Sequence, residues 1–494
     1  MAGAYRVGAA LGSRMPADRL DLLFFHAYFL VDDPREQEIM RPFAPLGMQY
    51  LVAWLQAAGF PAVDWWDSTF AAGEADFHQQ VADTDPRAVG LYGHTLTRPT
   101  ALRMAARCLA EGRRTIAGGP DPVQYLDTYL ERGIEVVVIG EGEQTVEALL
   151  RHLRANDWRW DRARLRDIPG IAFREDGRTV RTAPRPLIRP LDRIPWPARA
   201  RRDLQPYLQA WRQRHGETAL QLVTSRGCPY HCTWCSKQVY GDTFRRRDPE
   251  RVIDELEAVR EEYDPDQIWF ADDMFTINRR WVHRFARSMV RRRAEVPFYL
   301  IGRPESLDAG MVGALAEAGL TRMYLSAESG AQHILDAMRK EDTVEDIRRA
   351  SRLLRAHGVE LGVFVMLGYP GESARDVDAT LRMLHDITPD VTLLSVAHPM
   401  RGTAFHDAVE DRLAEPDAAW IAENGGRLPF RKDYSDRFYS YAQRMIWAET
   451  GLVQRLRGGP VDAELLRLAG RWAVWRGATR AVGGWDERRR PRGS

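Results

Sequence analysis

Short apolar runs alternate with helix-period segments along most of this chain, and no other feature restricts its fold as strongly. Residues 22–25, 62–67, 88–93, 114–117 and 135–139 read as strands. A helix opens at Pro45-Leu46-Gly47 and stops at Gly59. Strands separated by helices of roughly 10–15 residues imply a doubly wound parallel sheet. A second series follows, with strands at 220–225, 266–270, 298–301, 322–325, 360–366 and 391–396, giving six further β/α units. Between the two series, 171–175 and 178–181 flank Asp176-Gly177 and read as a hairpin with a two-residue turn. Pro184, Pro186, Pro190, Pro195 and Pro197 then hold the chain extended. At 494 residues the chain is too long for one core. The expected division is an α/β domain over 1–155, a linker with hairpin over 156–205, a second α/β domain over 206–405 and a helical domain over 406–494.

In a doubly wound sheet a ligand sits outside the carboxyl ends of the strands. The loops of interest in the first domain are therefore those at His26, Asp67, His94-Thr95, Gly118-Gly119 and Gly140-Glu141-Gly142-Glu143. The net charge of +1 offers nothing to nucleic acid or to a membrane surface. No apolar run reaches the ~18–20 residues of a membrane-spanning helix.

Three of the four cysteines lie within eight residues, Cys228, Cys232 and Cys235, spaced C-x3-C-x2-C. Three thiolates so placed suit an iron–sulfur cluster that leaves one iron without a protein ligand, free to bind substrate or cofactor. Two other readings stay open. Zinc would need a fourth ligand, and the neighbouring His231 is awkwardly placed to wrap around the same metal. A disulfide is disfavoured in a cysteine-poor chain with no apolar leader run, for which a reducing cytoplasm is the expected compartment. Cys108 falls in an amphipathic helical run and reads as a small core residue.

With Trp234 just before the third cysteine, this motif resembles the signature of radical S-adenosylmethionine (SAM) enzymes. The six β/α units match that family's partial (β/α)6 barrel, whose function sits at the carboxyl ends of its strands. The resemblance implies a [4Fe–4S] cluster on Cys228, Cys232 and Cys235. Its open iron chelates the amino and carboxylate groups of SAM, and one electron cleaves SAM to a 5′-deoxyadenosyl radical. It also implies a set of SAM contacts. Trp234 flanks the cluster. Asp273, with Asp272 in reserve, accepts the ammonium group. Arg303 balances the carboxylate, unless it serves an ordinary ion pair. Glu328 accepts the ribose hydroxyls. Met366 and Pro399 lie against adenine, although Met400-Arg401 interrupts the Pro-Gly-Thr turn usual there.

The first domain resembles the Rossmann-like cobalamin-binding domain found ahead of many radical SAM domains. The resemblance rests on Pro45-Leu46-Gly47, the Gly118-Gly119-Pro120 turn and the Gly140-Glu141-Gly142-Glu143 turn. It implies cobalamin held by Asp67, His94, Thr95, Gly118, Gly119, Gly140, Glu141, Gly142 and Glu143. The D-x-H-x-x-G motif that brings a histidine to cobalt is absent. Asp76-Phe77-His78 is the nearest partial match, with Val81 where glycine belongs. A flavodoxin-like domain without the cofactor is the alternative.

Together the resemblances imply a cobalamin-dependent radical SAM enzyme that methylates an unactivated carbon of a small molecule. The partners implied are that small-molecule substrate and an electron donor such as flavodoxin or ferredoxin. Ring closure or ring contraction remains a rival, as does a radical SAM enzyme with a mere docking domain. In the tail, helical runs at 436–447 and 463–472 present Tyr439, Tyr441 and Trp447 as candidates for closing the barrel mouth, or as core. Residues 486–494 are expected to lack structure.

Overall fold

A computed structural model describes residues 19–237, 239–413, 430–458 and 463–489. The first sheet runs in the order β2-β1-β3-β4-β5-β6-β7. Its strands are β1 (Leu22–His26), β2 (Val63–Asp67), β3 (Ala88–Tyr92), β4 (Arg114–Gly118), β5 (Val136–Val138), β6 (Ile171–Glu175) and β7 (Arg178–Arg181). The first five are parallel. Because β1 lies between β2 and β3, the chain reverses its direction of growth there. That is the switch point at which such sheets open a ligand crevice. The expected hairpin forms as β6 and β7, and it belongs to this sheet, with β6 antiparallel to β5.

The second sheet is wholly parallel, in the order β15-β14-β13-β12-β11-β8. It comprises β8 (Ala219–Leu222), β11 (Gln267–Phe270), β12 (Phe298–Gly302), β13 (Leu320–Glu328), β14 (Glu360–Leu367) and β15 (Val391–Val396). Alternate residues of these strands, Leu222, Phe270, Leu300, Leu325 and Val363, are fully buried against the outer helices. That alternation turns the other set, including Ile301, Arg303, Ser326, Glu328 and Phe364, toward the concave side.

The first barrel strand is shorter than its apolar run. It ends at Leu222, and Ser225-Arg226 (β9) instead pairs antiparallel with Arg245-Arg246 (β10). The fully buried Asp272 carboxylate causes the break. It accepts the Thr224 N–H at 3.0 Å and the hydroxyls of Thr224 and Ser225. This ribbon carries the cysteine loop away from the sheet.

The tail forms two long helices, Asp436–Gly458 and Ala463–Arg489, which pack on each other and on helix Ala374–Ile387. The expected loss of structure from residue 486 is not observed as far as Arg489. Asp486 accepts the N–H and hydroxyl of Ser435, and Glu487 accepts the Tyr434 hydroxyl, so local polarity is spent on closing the helical pair. No described helix is long and apolar enough to cross a membrane.

Candidate active site between the two sheets

The carboxyl ends of the parallel strands of both sheets face one cavity of about 730 Å³. One wall is the cysteine loop and barrel: Cys228, Cys232, Trp234, Cys235, Asp273, Arg303, Glu328 and Lys340 among others. The opposite wall is the first domain, at 45–48, 90–92, 116–120, 138 and 140–143.

The cysteine loop is tied down on both sides. Thr233 donates its N–H to Met338 and accepts the N–H of Phe405 through its carbonyl. Burial pushes the Cys228 and Cys232 thiols up. Burial, with Cys232 and Cys228 as neighbours, pushes Cys235 to about 11. Three thiols on one wall of the cavity, two of them partly buried, are a donor set that fits the iron–sulfur reading. Among the described residues, no three His, Cys, Asp or Glu side chains are drawn as close as a single ion needs.

Glu328 closes β13. The ladder to β14 slips between Ser326 and Glu328, and Glu328 adopts a left-handed φ of 58°. A non-glycine residue held there is strained by roughly 1–3 kcal/mol. The strain aims a buried carboxyl into the cavity, and burial, opposed by Lys340, raises it to about 7. Asp273 also lines the cavity. Its carboxyl is raised by burial and by Asp272, while a hydrogen bond from the Gly227 N–H opposes the rise.

The other aspartate of the pair plays a different part. Asp272 does not line the cavity; it fixes Thr224 and Ser225, as above. Arg303 does line it, but its guanidinium is already occupied. It lies 3.4 Å from the centre of the Tyr230 ring, pairs with Glu305 at 2.7 Å and Asp342 at 3.5 Å, and donates to the Lys340 carbonyl. Arg303 thus makes buried ion pairs, not a surface one, and still lines the cavity. Sequence reasoning missed Lys340. This buried ammonium donates to Ser326 at 2.6 Å and lies 5.8 Å from the centre of the Trp234 ring. Its run, Met338-Arg339-Lys340-Glu341-Asp342, reads as a solvated charged turn, and nothing local marks it otherwise.

Met366 and Pro399 stand beside the cavity and not on its lining. Met366 packs with Trp234 against Tyr369, Ala397 and Phe405, and so buttresses the cysteine loop.

In the first domain, Gly118, Gly119, Gly140, Glu141, Gly142 and Glu143 all line the cavity. The two glutamate carboxylates are held in ion pairs. Glu141 takes Arg226 at 2.8 Å and Arg245 at 2.9 Å, and Glu143 takes Arg226 at 2.5 Å. Burial pushes the Glu141 carboxyl up, and the hydrogen bonds from Arg245 and Arg226 more than offset it, leaving it low. Asp67, His94 and Thr95 are also drawn elsewhere and do not line the cavity. Asp67 accepts from Tyr207 and lies 2.8 Å from His26 Nδ1. His94 accepts the Leu96 N–H, and Thr95 donates to Asp121.

The remaining first-domain lining is an apolar slot between sheet and helices: Phe24, Met48, Leu51, Ile116, Val138 and Val146. Gly90 lets the Phe24 ring cross β3; a Cβ there would lie 2.6 Å from that ring. Such a slot fits a flat, apolar heteroaromatic tail such as that of cobalamin. Gly119 has φ 108°, and a Cβ on it would lie 2.7 Å from the Gly93 carbonyl oxygen, so only glycine serves.

The comparisons with known proteins agree with this geometry. The B12 binding domain family matches residues 39–150, and the Radical SAM superfamily matches residues 222–384. The chain belongs to the cobalamin-dependent radical SAM enzymes. Its cofactors are a [4Fe–4S] cluster, SAM and cobalamin. It is 28% identical over 388 residues to an uncharacterized methyltransferase of Pyrococcus horikoshii, covering 76% of this chain and 81% of that one. It is likewise 28% identical over 388 residues to the anaerobic magnesium-protoporphyrin IX monomethyl ester cyclase of Rubrivivax gelatinosus, covering 76% and 68%. It shares the fold of the radical SAM methyltransferase TsrM from Kitasatospora setae, solved with cobalamin and a [4Fe–4S] cluster. There the TM-score is 0.69 at 18% identity, over 94% of this chain and 100% of that chain.

Proposed function

We propose that this enzyme methylates an unactivated carbon of a small molecule. One observation carries the reading: the three cysteines and the glycine turns of the first domain line the same cavity. When bound, the cluster supplies the electron that cleaves SAM, and the corrinoid supplies the methyl group. An unactivated carbon is neither acid nor nucleophile, which is why both cofactors are needed in one chamber.

The side chains of this protein bind and orient. Asp273 accepts the SAM ammonium, and Glu328, as the carboxylate, accepts the ribose hydroxyls. Lys340, placed beside Trp234 and Ser326, faces the SAM carboxylate in the part first given to Arg303. Asp272 and Arg303 shape the cysteine loop from behind. The apolar lining excludes water and protects a reactive carbon centre from side reactions. A soluble electron donor such as a flavodoxin or ferredoxin, and a cytoplasmic setting, complete the reading.

The test needs no substrate. Cluster-loaded protein holding reduced cobalamin is given SAM labelled in its methyl group. Methylation requires S-adenosylhomocysteine and a labelled, methylated cobalamin. A protein that cleaves SAM to 5′-deoxyadenosine yet never forms S-adenosylhomocysteine is instead a ring-forming or rearranging enzyme. The similarity to a cyclase keeps that second reading in view.

A further inference from the structure

Met400-Arg401 breaks the turn that follows β15, and the cofactors leave it without a task. The Arg401 guanidinium lies 5.0 Å from the centre of the Tyr125 ring, so this barrel loop meets the first domain. Tyr125 directly follows the first-domain helix Pro120–Gln124. Pro120, at one end of that helix, lines the cavity. Gln124, at the other end, donates at 3.2 Å to Ser236, which also lines it. Arg401 therefore stands at the rim of the chamber, close to the end of the cysteine loop.

This cation differs from its neighbours in having no acid. Each cation on the cavity lining has one beside it: Arg226 has Glu141 and Glu143, Arg303 has Glu305 and Asp342, Lys237 has Asp242, and Lys340 has Asp342. Arg98 shares the Tyr125 ring, at 3.7 Å, but it is paired with Asp121. Asp121 is 2% exposed and also accepts the Tyr129 and Thr95 hydroxyls, at 2.6 and 3.1 Å, which leaves nothing for Arg401. Arg401 makes no ion pair with a described residue, and its Nε is buried without a hydrogen-bond partner. A buried N–H without an acceptor costs free energy that a ligand can return. A guanidinium held over a ring uses its face. Its N–H groups lie along the edge, in the fork that takes two oxygens of a carboxylate or phosphate at once.

We infer that Arg401 binds an oxyanion of the methyl acceptor, so that the substrate is a small molecule bearing a carboxylate or a phosphate. The anion balances the second guanidinium on the Tyr125 ring and supplies the acceptor that Nε lacks. Anchored at the rim, the molecule leaves its reacting carbon deeper in the chamber, between the cysteine loop and the glycine turns. The inference rests on the methylation reading above and adds the substrate class to it.

The test is phenylglyoxal modification of the full-length protein loaded with its cluster and cobalamin, followed at Arg401 by peptide mass spectrometry. Inorganic phosphate and acetate are the probes, with sodium chloride at the same ionic strength as the reference. Exposed Arg467, in the helical tail, is the internal control. Either anion at about ten times its Kd should slow the reaction at Arg401 roughly tenfold, by mass action, and leave Arg467 unchanged. Protection by phosphate alone assigns a phosphorylated substrate, by acetate alone a carboxylate, and by both the chemistry they share. No protection by either anion, or equal slowing at Arg467, overturns the inference. Arg401→Gln should keep the wild-type affinity for SAM and for cobalamin, read by titration. Loss of either affinity gives the guanidinium to that cofactor and overturns the inference as well. If wild-type cobalamin never takes a methyl group from SAM while phosphate or acetate still protects Arg401, the methylation reading falls and the anion site stands.

Discussion

Arg226 of the barrel reaches across the domain boundary to Glu141 of the first domain at 2.8 Å, with both side chains buried. Arg226 stands two residues before Cys228, and Glu141 lies in the glycine turn that lines the cavity. The loop that carries the cluster and the loop that borders the corrinoid slot are thus parts of one charged assembly, completed by Glu143 and Arg245. Tyr50 and Tyr240 flank the Arg226 guanidinium at 5.5 and 5.4 Å. Removing one partner leaves a buried charge without compensation. Arg226→Ala or Glu143→Ala should each cost about 3–5 kcal/mol of stability. Denaturant unfolding measures it, and the double variant should cost less than the sum of the two. Strict additivity would show that the residues do not act as a unit.

Each of Cys228→Ala, Cys232→Ala and Cys235→Ala should abolish SAM cleavage and lower bound iron, while the first domain still takes up cobalamin. Cys108→Ala should leave cleavage near the wild-type rate. Cys108 is fully buried in the first-domain core, and burial raises its thiol to about 12. A single cluster-cysteine variant that keeps most of its SAM cleavage would remove that residue from the cluster.

Glu328→Gln should weaken SAM binding by roughly 1.5–3 kcal/mol, the usual worth of a hydrogen bond to a charged group. The binding form is the carboxylate, and burial places its carboxyl at about 7 in the free protein. SAM affinity should therefore fall as pH drops through that value, and the Gln variant should flatten the fall. Titration calorimetry on cluster-loaded protein at a few pH values decides it. Equal pH dependence in both proteins would assign the effect to another group.

Glu372 is buried behind β14, where it accepts the Gly368 N–H at 2.6 Å, and burial raises its carboxyl to about 8. An acid raised on folding makes the native state hold its proton longer than the unfolded chain does. Its contribution is present below the ordinary carboxylate value of about 4.5 and is lost as pH rises through about 8. Glu372→Gln should thus lose less stability between about pH 6 and pH 9 than the wild type loses, as read from denaturation midpoints. Parallel declines would contradict this.

Lys340→Met should weaken SAM binding with the iron content unchanged, whereas Asp272→Asn should lower iron content as well, because Asp272 holds Thr224 and Ser225 at the root of the cysteine loop. If Lys340→Met binds SAM as the wild type does, the ammonium serves only Ser326 and Asp342, whose carboxylate lies 3.6 Å away.

The sequence alone determined the two α/β series, the cysteine motif and the glycine turns. Those signals are local: apolar periodicity, turn residues and spacing are written within a few residues of the place they act. Asp273 and Glu328, singled out by resemblance, both line the cavity. The tertiary structure decided how charges were distributed among partners far apart in the chain. It sent Glu141 and Glu143 to Arg226 and Arg245, took Arg303 for Glu305 and Asp342, and turned Asp272 back on Thr224. It brought the unremarked Lys340 beside Trp234, and it drew Asp67, His94 and Thr95 away from the cavity. A buried charge is settled by whichever opposite charge or dipole the fold places within a few ångströms, and no local pattern of residues contains that distance.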